Sequence, residues 1–124
     1  MTDHEKQLVF QRLRNRQIEA LELASSWSAQ LSYQNAAPAI SVANEVINQW
    51  DDTWFSDETS CPEPIYTKPE ETALREYSRV LADLCQRTPS PLPELSTVFA
   101  LSEWNELREA AQSSLKVMMI RGKF

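Results

Sequence analysis

The stretch DHEKQLVFQRLRNRQIEALELASSWSAQLSY, residues 3–33, decides the fold. Phe10, Leu13, Gln17, Ala20, Leu21, Ala24, Trp27 and Leu31 recur at steps of three and four, with Leu13, Ala20 and Trp27 seven apart. At 100° per residue these positions share one face, while Arg12, Glu19 and Glu22 fall toward the other. Neither Pro nor Gly interrupts the run. Thr2 and Glu5 form a capping box, in which hydroxyl and carboxylate satisfy orphan N–H groups at the helix start. One helix over 3–33 is expected. Its length of about 45 Å exceeds the roughly 35 Å diameter of a globule this size. Either one end projects or the helix kinks around Ser25, Ser26 and Ser28.

Outward from this helix the pattern stays helical. Gln34-Asn35-Ala36-Ala37-Pro38 reads as a turn, and Pro38 suits the first turn of a second helix over 37–50. Ile40, Ala43, Val46, Ile47 and Trp50 form its apolar stripe. A long acidic, Pro-containing connection at about 51–66 follows, and connections of that length tend to be functional or disordered. Thr67 and Glu70 make another capping box, opening a helix over 68–87 with Ala73, Leu74, Tyr77, Val80, Leu81, Leu84 and Cys85 in register. Thr88-Pro89-Ser90-Pro91-Leu92-Pro93 is a stiff extended spacer. A short helix near 94–100 precedes a last helix over 103–121, capped by Ser102 and lined by Trp104, Leu107, Ala111, Leu115 and Met118. Gly122 stands where a left-handed C-cap glycine belongs. No stretch alternates as a strand does. The expectation is a single all-α domain over 1–124, a helical bundle of four main helices (about 3–33, 37–50, 68–87 and 103–121).

With 124 residues, 42% of them apolar and 24% charged, the chain has the composition and size of one globular domain. Its single Gly argues against hairpins, phosphate-cradling loops and nucleophile elbows. Its single His, His4, gives the serines at 25, 26, 28, 113 and 114 no credible general base. Cys61 and Cys85 make neither a CxxC motif nor a zinc framework. They read as reduced thiols, with Cys85 a small core residue, and a disulfide tying the Pro-rich connection to the next helix is the alternative. The polar start lacks a signal-peptide core, and the longest apolar runs, 98–101 and 117–120, fall far short of the ~20 residues that cross a bilayer. A cytoplasmic protein without a membrane partner is expected.

Net charge is −6, and all of that excess lies between Glu45 and Glu71, which holds eight acids and one base. Such a block repels phosphate backbones and steers toward cationic partners, so direct nucleic-acid binding through this face is disfavoured. Arg12, Arg14 and Arg16 are the basic cluster, spread around a helix by their alternate spacing, and read as a solvated face. Lys116, Arg121 and Lys123 complement the negative end of the last helix.

Two constellations bear on function. Glu19-Ala20-Leu21-Glu22 and Glu45-Val46-Ile47-Asn48 place carboxylates three apart on two helices, a spacing that can hold a hard cation. The arrangement resembles the paired ExxE and ExxD motifs of the MazG-like all-α nucleotide pyrophosphohydrolases, whose four acids bind magnesium. The resemblance covers eight motif residues, and Asn48 stands where the family has an acid. It implies Glu19, Glu22, Glu45 and Asn48 as a metal set and magnesium-dependent nucleotide hydrolysis as the lesser alternative. Read on their own, Glu19, Glu22 and Glu45 are solvated, and no catalytic residue, metal or cofactor is expected.

The other constellation is Trp50-Asp51-Asp52-Thr53-Trp54-Phe55, followed by Asp57 and Glu58. Trp50 reads as the end of a core stripe, as do Trp27 and Trp104 in theirs. Asp51, Asp52, Trp54, Phe55, Asp57 and Glu58 are the expected partner-binding residues, the acids entering a cationic cleft while the rings supply apolar contact. The function expected is a non-enzymatic protein-binding module, an inhibitor, neutraliser or adaptor of a basic protein partner, as immunity, antitoxin or phage-inhibitor proteins are. The alternative is a small helical subunit of a multi-protein or nucleoprotein complex. A homodimer through the long first helix is a further expectation.

Overall fold

The computed structural model describes residues 2–54 and 61–124, which form an all-helical domain. In chain order the helices are α1 (Asp3–Ala24), α2 (Trp27–Ala36), α3 (Val42–Asp51), α4 (Lys68–Arg87), α5 (Leu95–Val98) and α6 (Ser102–Met118). The helix expected over 3–33 is therefore two. Ser25 closes α1 with its N–H on the Leu21 carbonyl, and Ser26 turns extended so that its hydroxyl accepts from Ala29 N–H at 3.1 Å. The seven-residue apolar period runs on through this break, whereas two adjacent serines supply a ready cap. Gln30, fully buried, stitches the joint: its amide donates to the carbonyls of Leu23 and Ala24 and accepts from Trp104 Nε1. Leu31, expected on the inner stripe, is 47% exposed.

The second helix starts at Val42, not at 37. Ser41 accepts from Asn44 N–H as its cap, and Gln34 fills the preceding turn, donating to Ala37 and Ile40 carbonyls and accepting from Val42 N–H. Side-chain capping at Ser41 prevails over the fixed φ of Pro38, and Ile40 is left in the turn at 42% exposure. Helix α4 coincides with its expected span. Thr67 Oγ1 accepts from Glu70 N–H and Glu70 Oε1 accepts from Thr67 N–H, the two halves of the capping box. Thr67→Ala removes the hydroxyl half and is expected to lower stability by about 1 kcal/mol, read as a lower urea midpoint at an unchanged slope. Helix α6 begins at Ser102 without a side-chain cap, the Ser102 hydroxyl bonding Glu103 instead, and stops at Met118. Gly122 has φ 75° and donates to the Met118 carbonyl at 3.0 Å, the left-handed closure expected of it.

Antiparallel α4 and α6 are tied by Ser114 Oγ donating to the Ala73 carbonyl and by the Arg87–Glu106 ion pair, and α1 packs across α6 and α3. The core gathers Ile18, Leu21, Trp50, Leu74, Tyr77 and Trp104. Two charged side chains join it. Arg14 is fully buried and Glu70 is 2% exposed, with Arg14 Nη2 2.7 Å from Glu70 Oε2. Arg121 donates to both Glu70 oxygens and to the Ile65 carbonyl, while Arg14 also bonds the Gly122 carbonyl. The Phe124 ring stacks under Arg14, 4.2 Å from its guanidinium carbon, and Phe124 N–H and C=O both bond the Asn15 side chain. Arg14 thus leaves the solvated cluster assigned to it with Arg12 and Arg16. Cys85, expected in the core, is exposed, and it is Cys61 that is buried; both are free thiols. Met118 is in the core and Met119 is 48% exposed. Among the described residues no helix is long and apolar enough to cross a membrane.

Candidate partner-binding surface

The candidate surface lies at the carboxyl end of α3. Asp51 is the last helical residue and Asp52 its C-cap, both exposed, and no base occupies the last turn. This is the wrong end of a helix for a carboxylate, because unsatisfied carbonyls there carry partial negative charge. Partial desolvation of its carboxyl against the domain raises the Asp51 pKa, and the neighbouring Asp52 charge raises it further. Among the described residues neither aspartate is in an ion pair. Glu19 from α1 and Glu45 from α3 line a cleft of about 270 Å³ with Asp52, and Arg16 of α1 also lines it. Asp51 looks the other way, into a cleft of about 300 Å³ shared with Asn48, Cys85 and Thr88.

Buried side chains hold this acidic end in place. Thr53 is 4% exposed; its hydroxyl donates back to the Trp50 carbonyl and its own carbonyl accepts from Gln17 Nε2 at 2.9 Å. The Gln17 oxygen in turn accepts from Tyr66 Oη at 2.7 Å. One buried amide of α1 thereby grips both ends of the 51–66 connection. Near its far end, Cys61 N–H donates to Glu71, and burial, then the Glu71 charge, pushes the Cys61 thiol up to about 12, so it stays protonated. Gln17 had stood out in the sequence only as a polar residue on an apolar stripe.

Trp54 is half-buried. Its indole stacks on Trp50 with centroids 5.2 Å apart, and the Arg75 guanidinium carbon lies 5.9 Å from its ring. The ring therefore presents only part of its surface. Phe55, Asp57 and Glu58, the remaining expected binding residues, lie outside the described residues.

The four residues of the ExxE-like pair are not brought together. Glu19 and Glu45 share a cleft, Glu22 is paired with Lys123 at 2.8 Å, and Asn48 lines the neighbouring cleft. Among the described residues no three His, Cys, Asp or Glu side chains are grouped as a metal ion requires.

A second concave surface went unread in the sequence. An open groove of about 940 Å³ runs between α4 and α6, floored by Ala73, Val80, Ala110 and Val117 and rimmed by Glu76, Arg79, Asp83, Glu106 and Glu109. Ala73 and Val80 are seven apart, as are Ala110 and Val117, a spacing that lays a straight apolar seam along each helix. Set against known proteins, the chain matches no family model, no curated protein and no solved structure.

Proposed function

We propose that this chain is a non-enzymatic binding module that inhibits, neutralises or scaffolds a basic protein, docking it at the carboxyl end of α3. The observation that supports this reading is the placement of Asp51 and Asp52 on the negative end of a helix, with Glu19 and Glu45 lining a cleft beside Asp52. Such an arrangement costs the free protein about 0.3–1 kcal/mol per misplaced charge. A lysine- or arginine-bearing partner relieves that repulsion on binding, while the exposed part of the Trp54 indole offers apolar contact. Two free thiols suit work in the cytoplasm. Phe55, Asp57 and Glu58, which lie outside the described residues, are carried in the proposal from the sequence alone.

The test compares the wild-type chain with the double variant Asp51→Lys/Asp52→Lys in affinity capture from the native cell, with partners identified by mass. A basic partner held by the wild type and lost by the variant is expected, with an association rate that falls at least tenfold between low and high salt. Lysine at a helix carboxyl end favours the helix, so lost capture cannot be put down to unfolding. Equal capture by both proteins would end the proposal. The α4–α6 groove favours a second reading, in which the chain is a helical subunit of a larger assembly and the groove receives a partner's amphipathic helix.

A further inference from the structure

The first two turns of α1 stand clear of the bundle. Every residue from Thr2 to Val9 is exposed, including Leu8 at 38% and Val9 at 50%. A helical extension of this kind draws nothing from tertiary packing, although packing is the main source of helical stability in proteins. Projected at 100° per residue, Leu8, Arg12, Glu5 and Val9 fall in that order within one arc of about 100°. The arc faces away from the buried side marked by Gln17 and Leu21. Neither the Glu5 nor the Arg12 side chain has a hydrogen bond or ion pair among the described residues.

The pattern on this arc is self-complementary. About a two-fold axis between Leu8 and Val9, an antiparallel copy of the helix sets Leu8 against Val9 and Glu5 against Arg12, once on each side of the axis. The helix dipoles also oppose favourably in that orientation. A parallel copy places Glu5 on Glu5 and Arg12 on Arg12, so the sequence selects one direction. We propose that a second copy of this chain covers the outward face of the start of α1, forming an antiparallel two-fold dimer held by Leu8, Val9 and the reciprocal Glu5–Arg12 pairs. The contact from Glu5 to Arg12 runs over about two turns of one helix. It lies below the roughly 800 Å² per partner of a standard stable interface, which makes the dimer a concentration-dependent one.

Sedimentation velocity from about 1 to about 300 µM spans the range in which so small an interface associates. Wild-type mass is expected to rise from 14.3 kDa toward twice that value. Glu5→Arg sets arginine against arginine and Arg12→Glu sets glutamate against glutamate, so each variant alone stays monomeric. Mixed one to one, the two variants restore both opposite-charge pairs and recover the dimer. That recovery separates a charge register from a folding defect, and circular dichroism of each variant accompanies it. A wild-type protein that remains monomeric over the whole range overturns the proposal. Variants that dimerise as the wild type does, or folded variants whose mixture stays monomeric, overturn it equally.

Discussion

Replacing Glu70 by Gln is expected to lower the free energy of unfolding by about 3–5 kcal/mol, the range for removing one partner of a buried ion pair. Arg14 has no exposure at all, and among the described residues Glu70 is the one carboxylate paired with its guanidinium. The neutral amide would leave that cation buried without a counter-charge, held by carbonyl oxygens and the Phe124 ring, and would loosen Arg121, which spans both Glu70 oxygens. A domain of this size is stable by about 5–15 kcal/mol, so the loss is a large share of the total. Urea denaturation measures it. Arg14→Met together with Glu70→Gln is expected to recover part of the loss, because the desolvated charge is then gone. The same network sets an acid dependence. Burial pushes the Glu70 carboxyl up, but hydrogen bonds from Arg121, Arg14 and Thr67 N–H outweigh it and hold the pKa below the ordinary value. The unfolded chain therefore takes up this proton first as pH falls. The Glu70 contribution is whole above the unfolded carboxylate value of about 4.3 and is withdrawn as pH drops through the lower folded one. Urea midpoints of Glu70→Gln should fall less steeply than those of the wild type across that window; an identical slope would remove Glu70 from the account.

Trp104→Ala is expected to cost about 3–5 kcal/mol for the cavity alone. The ring is 1% exposed, and its Nε1 donates to Gln30 Oε1 at 3.1 Å. Gln30 is the residue that satisfies the last carbonyls of α1 at the α1–α2 joint. Truncation therefore empties space in the core and strands a buried amide oxygen, which adds about 1–3 kcal/mol. Trp104→Phe separates the two effects, since it keeps most of the ring volume and loses the N–H. Thermal unfolding should place Trp104→Phe between the wild type and Trp104→Ala. A Phe variant as stable as the wild type would show that the Gln30 contact contributes nothing.

The limits of helix α4 were legible because both ends carry local chemistry: a Thr67–Glu70 box at the start and proline after Thr88 at the finish. The kink in the first helix was legible only as one of two options. Periodicity argues for continuity through Ser25 and Ser26, and the choice belongs to Gln30 and Trp104, side chains 74 residues apart. Arg14 shows the same limit more sharply. Arginine is a surface residue by default, and its burial is decided by Glu70 and by the carbonyls of Met118 and Gly122, far along the chain. Cys85 shares a helical register with Leu81 and Leu84, yet it falls at the edge of their stripe and is exposed. Of the candidate site, the acids could be read individually as a charge block. Their gathering at one helix end, with Glu19 brought from α1 beside Glu45 and Asp52, needs the α1–α3 packing to be seen.

The Arg14 cluster also bears on the order in which the chain is synthesised. Its carboxylate stands 56 residues downstream and its last carbonyl 108. A nascent chain leaving the ribosome exposes α1 early, with an inward-facing cation that finds its anion only after α4 has emerged and its final oxygen only after Gly122 has. No amino-terminal fragment that stops short of that glycine can complete the cluster, so its closure waits until residue 122 has been synthesised.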